Sequence, residues 1–421
     1  MFLTYNIIQL LALLLLWPVL VLWALSPRHR GRIAARLGAG LPKLGKSKGG
    51  PRIWIHALSM GEAASALPLI TAIRRDIPQA EIIFSTTTRG GSQYARHLAD
   101  KVDYQVAFPF DFYWLVKRFI KRLNPDLFIL IETDFWPNIL GQMWAMGIPA
   151  ILANGRITAN SFKNYRRASF IFRPLFNSFS FLSMQMEADA GRMIDLGVPP
   201  AKVGCCGNLK YDLQPFNGPK NRAARREDFN LPETGLILVA GSTHRGEEEI
   251  IINSYITLAA KYKLALVIAP RDTGRGAEIA AMLQRRGLNC ARRSQRNTGP
   301  TSILVLDTLG ELIRVYSLAD LAFVGGSLVP QGGHNPVEPA SLGRAVIFGP
   351  HMEDFAEISR DLCQNQAALG VSADNFTTVC ANLLADKNQR REMGERAARF
   401  ILTNQGAAGR YIEIIKKIIH A

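Results

Sequence analysis

The chain has no C-x-x-C motif and no histidine pair at metal-ligand spacing; its five cysteines, Cys205, Cys206, Cys290, Cys363 and Cys380, follow no pattern. An odd, unpatterned set reads as reduced thiols in a cytosolic compartment and offers no structural zinc site. No D-x-D pair is present to hold a metal on a diphosphate. Neither a G-x-x-x-x-G-K-[ST] loop nor a G-x-S-x-G elbow occurs, which argues against P-loop NTPases and α/β-hydrolases. Acid is in short supply too: 34 Asp plus Glu face 50 Lys plus Arg, leaving a formal charge of +16. That excess favours anionic partners, whether nucleic acid, phospholipid head groups or phosphorylated substrates, without choosing among them.

What is present is a chain of 421 residues, 48% of them hydrophobic, enough for two to three domains with sizeable cores. Ile7 to Leu25 is apolar except for Gln9, with Pro18 inside it. At about 1.5 Å per residue this run reaches roughly the thickness of a bilayer core, so residues 1–25 are expected to form an N-terminal membrane-anchor helix. No basic stretch precedes it and no small-x-small site follows, which argues against a cleaved signal peptide. Arg28, Arg30, Arg32 and Arg36 come next; the positive-inside rule then puts the rest of the chain on the cytoplasmic face, with these arginines among anionic inner-membrane lipids. Residues 26–50 read as a basic juxtamembrane linker.

From Arg52 onward short apolar runs alternate with helical patterns, as in βαβ units with a parallel sheet covered on both faces. Strands are expected at Ile53 to Ala57, Ala80 to Ser85 and Asp126 to Ile131, with helices at Glu62 to Arg74 and Gly90 to Ala99. Residues 51–210 make a first Rossmann-like domain. A stretch rich in Pro, Asn and basic residues (211–232) reads as the interdomain linker, and 233–391 repeats the pattern as a second Rossmann-like domain. Residues 392–421 close the chain as one or two helices, where Ile412, Ile414, Ile415, Ile418 and Ile419 supply an apolar stripe for core packing. Two such domains in tandem leave a cleft, and parallel sheets bind ligands at the carboxyl ends of their strands.

Several loops at those ends can carry chemistry. Gly325 to Pro350 turns through Gly332 and Gly333 into Asn335-Pro336, a helix-opening signal whose free N–H groups suit an anion, and Glu338 on the first turn can accept two hydrogen bonds from a ribose diol. An ordinary glycine-rich loop explains the same residues. Ser242 and Thr243 can cap the following helix or contact a phosphate, and Arg271 ends the next strand as a candidate phosphate cation or a plain surface arginine. Glu62, where strand gives way to helix, can act as a general base or compensate the helix terminus. Glu132 ends an apolar strand, an awkward place for a charge without a function or a hydrogen bond.

Together, His56-Ala-Leu-Ser-Met-Gly-Glu62, Gly207-Asn-Leu-Lys210, Gly325-Gly-Ser-Leu-Val329, Gly332-Gly-His-Asn-Pro-Val-Glu-Pro339 and Gly349-Pro350-His351 resemble the 3-deoxy-D-manno-octulosonic acid (Kdo) transferases of lipopolysaccharide synthesis. The resemblance implies the GT-B fold, with an acceptor domain followed by a nucleotide-sugar domain. It further implies an inverting, metal-independent enzyme moving Kdo from CMP-Kdo to the tetraacylated lipid A precursor, with no cofactor and no nucleic-acid partner. By the same resemblance the catalytic residues are Glu62, as the general base, and Glu132, as a second functionally important acidic residue. Ser242, Arg271, Gly333, His334, Asn335 and Glu338 surround the CMP, and Arg156 and Lys210 hold the anionic sugar or acceptor phosphate. Asp272 departs from the family pattern after Arg271, and Asp354 stands where Asn is usual. A GT-B transferase using a UDP-sugar on another membrane lipid is the alternative.

Overall fold

A computed structural model describes residues 5–11, 13–15, 27–45, 47, 49–212, 224–295 and 299–420. The chain forms two compact units: residues 1–212 with 405–421, and residues 213–404. Among the described residues each unit carries one seven-stranded sheet.

In the first unit the strands are β1 (Arg52–Ala57), β2 (Glu81–Thr86), β3 (Tyr104–Ala107), β4 (Leu127–Ile131), β5 (Ala150–Gly155), β6 (Phe181–Met184) and β7 (Val203–Cys205). They are parallel, in the order β3-β2-β1-β4-β5-β6-β7, so the winding reverses between β1 and β4. Strands buried on both faces favour near-continuous apolar runs, and all eleven residues of β1 and β4 are buried, with only Arg52 and His56 among them polar. Ile53, Ile55 and Ala57 of β1 point to one core with the helix Met60–Asp76, while Trp54 points to the opposite core with the helix Tyr113–Leu123.

In the second unit β8 (Leu236–Thr243), β9 (Leu264–Pro270), β10 (Ala291–Arg292), β11 (Ile303–Val305), β12 (Leu321–Val324), β13 (Ala345–Phe348) and β14 (Ala368–Gly370) are again parallel. Their order is β10-β11-β9-β8-β12-β13-β14, with the reversal between β8 and β12. The doubly wound architecture expected from the alternating pattern is therefore present twice.

Of the closing segment, the helix Lys387–Asn404 belongs to the second unit, and the helix Ala407–Ile419 returns to the first. Its stripe packs into the core beside Met60–Asp76: Ile412 and Ile415 are buried, and Ile414, Ile418 and Ile419 lie against them. Tyr411, fully buried, brings its hydroxyl to 2.6 Å from the Asn154 backbone N–H, which donates to it.

Residues 5–11 and 13–15 are helical; the rest of the expected Ile7–Leu25 anchor lies outside the described residues. Among the described residues no helix is long and apolar enough to cross a membrane. The arginines expected beside a membrane differ in what they do. Arg30 is exposed, but Arg36 donates to the Phe108 and Pro109 carbonyls at 3.0 and 3.4 Å and stacks over the Phe110 ring, so it ties its helix to the first unit. Of the expected linker 211–232, residues 213–223 lie outside the described residues.

Because Ile415 is fully buried in the first unit's core, Ile415→Ala should lower unfolding free energy by about 2–5 kcal/mol. Urea denaturation measures this, and an unchanged midpoint would place the C-terminal helix outside that core.

Candidate active site

The polar groups of each unit collect at the carboxyl ends of the strands flanking the reversal. There the crossovers diverge to opposite faces and leave the strand ends open. In the first unit Glu62 follows β1, Glu132 follows β4, and the segment Asn208 to Lys210 lies beside them.

Glu62 is the third residue of its helix and completes a capping box. Ser59 Oγ accepts from the Glu62 N–H at 3.3 Å, and Glu62 Oε2 accepts from the backbone N–H groups of Leu58 and, at 3.4 Å, Ser59. The helix-terminus role raised by the sequence is thus realised on this carboxyl. Burial, then the charge of Glu132, push its pKa up to about 7, and the backbone donors only partly counter this.

Glu132 sits at φ +65°, a left-handed conformation that crowds a side chain with a Cβ. Its Oε1 accepts from Ser65 Oγ at 3.3 Å and Asn154 Nδ2 at 3.4 Å, and Lys210 Nζ stands 3.4 Å away. Asn154, also left-handed, receives the Leu209 N–H on Oδ1 at 2.9 Å, which fixes the Lys210 segment to the end of β5. Arg156, half-buried just beyond β5, acts on another carboxyl: burial raises the Asp189 pKa, and Arg192 and Arg156 counter it. The structure thus brings Glu62, Glu132 and Lys210 together and sets Arg156 by Asp189.

His56, also at this edge, carried no role in the sequence reading. It is fully buried, stacked on Phe108, with Nε2 3.2 Å from Asp134 Oδ2 and Nδ1 3.0 Å from Ser85 Oγ. Trp136 Nε1 donates to the same Asp134 oxygen at 2.6 Å. Asp134 thereby fixes the loop that begins at Glu132. A buried histidine and an acid 78 residues apart give no local signal.

In the second unit Ser242 does not cap a helix. It lies at φ +56° at a register break between β8 and β9, and the next helix, Glu247–Ala259, has Gly246 at its N-cap without a side-chain bond. The helix that Asn335-Pro336 opens is short. It runs only Val337–Ser341, with Asn335 Oδ1 accepting from the Val337 N–H at 3.0 Å, so it contributes little dipole. Gly333 is required where it stands: φ is +73°, and a Cβ would lie 2.4 Å from Met352 Sδ. Arg271 is exposed at the end of β9, its N–H bonded to the Thr243 carbonyl at 3.0 Å. Glu338 is not held ionised by the short helix: burial pushes its pKa up to about 7, against the Asn335 hydrogen bond and the Arg271 charge.

Glu247 went unnoticed because an acid after a glycine at a helix start reads as solvated. It is fully buried and accepts four backbone N–H groups, from His244 at 2.8 Å, Gly326 at 2.7 Å, Ser327 at 3.0 Å and Leu328 at 2.9 Å. One carboxylate thereby joins the loop after β8 to the loop after β12. Next to it, buried Glu248 pairs with Arg275 at 2.7 Å and accepts from Thr243 Oγ1 at 3.1 Å.

Residues 31–213 match the family profile described as 3-deoxy-D-manno-octulosonic-acid transferase (kdotransferase). The 3-deoxy-D-manno-octulosonic acid transferase of Haemophilus influenzae is 34% identical over 397 residues, 93% of this chain and 92% of that protein. The Bordetella pertussis protein of the same name is 30% identical over 94% of this chain and 92% of its own. Acinetobacter baumannii MurG, 14% identical with a TM-score of 0.55 over 87% of this chain and 99% of its own, shares the two-domain α/β fold.

Glu247→Ala would orphan four buried N–H groups; leaving buried donors unpaired costs about 1–3 kcal/mol each before relaxation, so a loss of roughly 3 kcal/mol or more is expected in denaturant unfolding. A smaller loss would mean that water satisfies the loop. The paired sheets, the motif residues gathered at their carboxyl edges and the full-length similarity lead to one conclusion: the chain belongs to the Kdo transferase family of lipopolysaccharide biosynthesis.

Proposed function

We propose that the first unit takes the lipid A precursor and the second the CMP of CMP-Kdo, and that Glu62 is the general base of a direct, inverting displacement. The observation that carries this reading is Glu62 itself. It is a carboxyl at the reversal of a parallel sheet, with a pKa near 7, where a base can both take and release a proton. Glu62 removes the proton from the acceptor sugar hydroxyl as that oxygen attacks the anomeric carbon of Kdo, and the bond to the CMP phosphate breaks. Glu132, paired with Lys210, raises the Glu62 pKa by its charge and keeps that base strong. Arg271 and the backbone donors of the glycine loop suit the departing phosphate. A leaving group with one phosphate carries less charge than a diphosphate, so the reading needs no metal. Relatives named as Kdo transferases favour CMP-Kdo over a UDP-sugar donor.

Membrane attachment at the cytoplasmic face of the inner membrane belongs to the same proposal, and two features support it. Ile7, Ile8, Leu10, Leu11, Leu14 and Leu15 are exposed on the N-terminal helical residues. The helix Tyr113–Leu123 exposes Tyr113, Trp114, Lys117, Arg118 and Lys121, aromatic and basic groups of the kind that sit at a lipid interface. Between them a cavity of about 540 Å³, lined by Asn6, Gln9, Leu10, Leu13, Phe112, Tyr113 and Trp114, suits an acyl chain.

Glu62→Gln keeps an acceptor oxygen for the capping box and removes the base. It should bind CMP like the wild type and lose at least a hundredfold in Kdo transfer, the usual share of general-base catalysis being roughly 10²–10⁴. Product formation by mass spectrometry measures this, and near-normal turnover would remove Glu62 from the role. For the wild type kcat/KM should fall about tenfold per unit below pH 7 and level off above it, because only ionised Glu62 accepts the proton. A flat profile between pH 5 and 8 would contradict it. For attachment, Trp114→Ala combined with Lys117→Glu and Lys121→Glu should weaken sedimentation with anionic vesicles, most clearly at low salt.

A further inference from the structure

Two imidazoles meet where the loops after β8 and β12 converge. His244 Nε2 and His334 Nε2 lie 2.8 Å apart, and the rings are parallel with centroids 5.1 Å apart. Gly326 makes room for them, since a Cβ there would stand 3.0 Å from His334 and 3.4 Å from His244. A contact of this length holds a single hydrogen, so in the neutral pair one ring donates and the other accepts. The outward Nδ1 atoms are then one N–H and one lone pair. A single added proton leaves the Nε2 bond intact and converts both Nδ1 atoms to donors bearing a shared positive charge. A second proton would break the bond.

The surroundings resist that proton until an anion arrives. Burial and then the Arg271 charge push His334 down to about 3, and burial, Arg271 and Arg275 lower His244. The counter-charge is close by: Glu248 favours a proton on His244, and its fully buried Oε2 has no hydrogen-bond partner among the described residues. Other charged groups on the neighbouring loops are committed: Glu247 to four backbone N–H groups, Glu338 to Asn335 near Arg271, and Asp354 packed at Gly332. An oxyanion seated at Arg271 would cancel the positive charge that keeps the pair neutral.

We propose that His244 and His334 form a proton-accepting part of the donor site, taking up one proton from solvent as an oxyanion of the donor binds and presenting it with two N–H donors. The proposal rests on the reading of the second unit as the CMP site. It adds His244 as a positioning residue that sets the tautomer of His334.

Calorimetric titration of the full chain with CMP, in buffers of different ionisation enthalpy at pH 7.5, reads the proton count. Wild type should take up more protons than His244→Gln or His334→Gln, by up to about one per CMP, and the double variant should lose no more than either single one. The wild-type Kd should correspondingly weaken more steeply as pH rises from 6 to 8, by up to about tenfold per unit, because affinity is lost as pH climbs through the pKa of the bound pair. Spectra of 15N-histidine-labelled wild type, independent of any variant, should show both rings neutral at pH 7 without CMP and one shared charge with it. Equal uptake in wild type and variants, or rings that stay neutral in the complex, would overturn the proposal while leaving the CMP site standing. Wild type that binds no CMP at any pH would overturn the donor-site reading itself, and this proposal with it.

Discussion

Every strand described in this chain is parallel to its neighbours, and that constraint decides where chemistry can occur. A parallel sheet covered on both faces must be apolar along its strands, so polar groups are displaced to the ends. At most strand ends the next crossover helix covers the gap. Between β1 and β4, and between β8 and β12, successive crossovers leave to opposite faces, and loops without such cover remain. The chain has to turn sharply there. Glu132 follows β4, Ser242 is the penultimate residue of β8 and Asn154 the penultimate residue of the neighbouring β5, all with positive φ, a conformation tolerated by Asn and disfavoured for Glu and Ser. Local backbone strain of this kind persists only where surrounding contacts over-determine it, and those contacts are the polar networks around each loop.

The carboxyl groups at these edges divide by how they are compensated. Glu247 spends both oxygens on backbone donors, which makes it a bracket between two loops, although its burial still outweighs them and raises its pKa. Glu132 is held by Ser65, Asn154 and Lys210. Glu62 and Glu338 have fewer donors for their burial, so the penalty for the charged form dominates and both titrate near 7. For Glu62 the sign works against folding. The folded state holds its proton more tightly than the unfolded chain, so its contribution is favourable below about 4.5 and is lost as pH rises through about 7. A reactive carboxyl at neutral pH and a stabilising one are therefore opposed demands on the same group.

The doubly wound fold was legible because its signal is local: apolar runs such as Ile53 to Ala57 and Leu264 to Ala269, separated by helical patterns, repeat through both halves. The isoleucine stripe near the C-terminus was legible as core for the same reason, although not which core, since Tyr411 meets Asn154 across 257 positions. The site was legible only in part. Glu62, Glu132 and Lys210 stand in short motifs and do converge. His56 with Asp134, and Glu247 with the Gly326 loop, depend on contacts between distant segments that no window of sequence contains. The expected caps misled for a related reason. Ser242 and Asn335 are residue types that serve helices and tight turns equally, and here a register break and a five-residue helix settled which.

In the base role proposed for it, Glu62 shows why a structural and a functional explanation of one residue need not compete. A capping box requires an acceptor at the third helical position, and a general base requires an acceptor with a proton affinity near that of the medium. Both bonds that hold Glu62 to the backbone fall on Oε2. The cap therefore fixes the rotamer of the carboxylate and, through it, the direction of Oε1, at a helix start that the reversal between β1 and β4 leaves at the sheet's open edge. Without the cap the side chain would lose part of its positioning; without burial beside Glu132 it would be too weak a base at neutral pH. The feature that reads as routine helix termination is thus also what would orient the oxygen to which the proposed mechanism assigns the proton transfer.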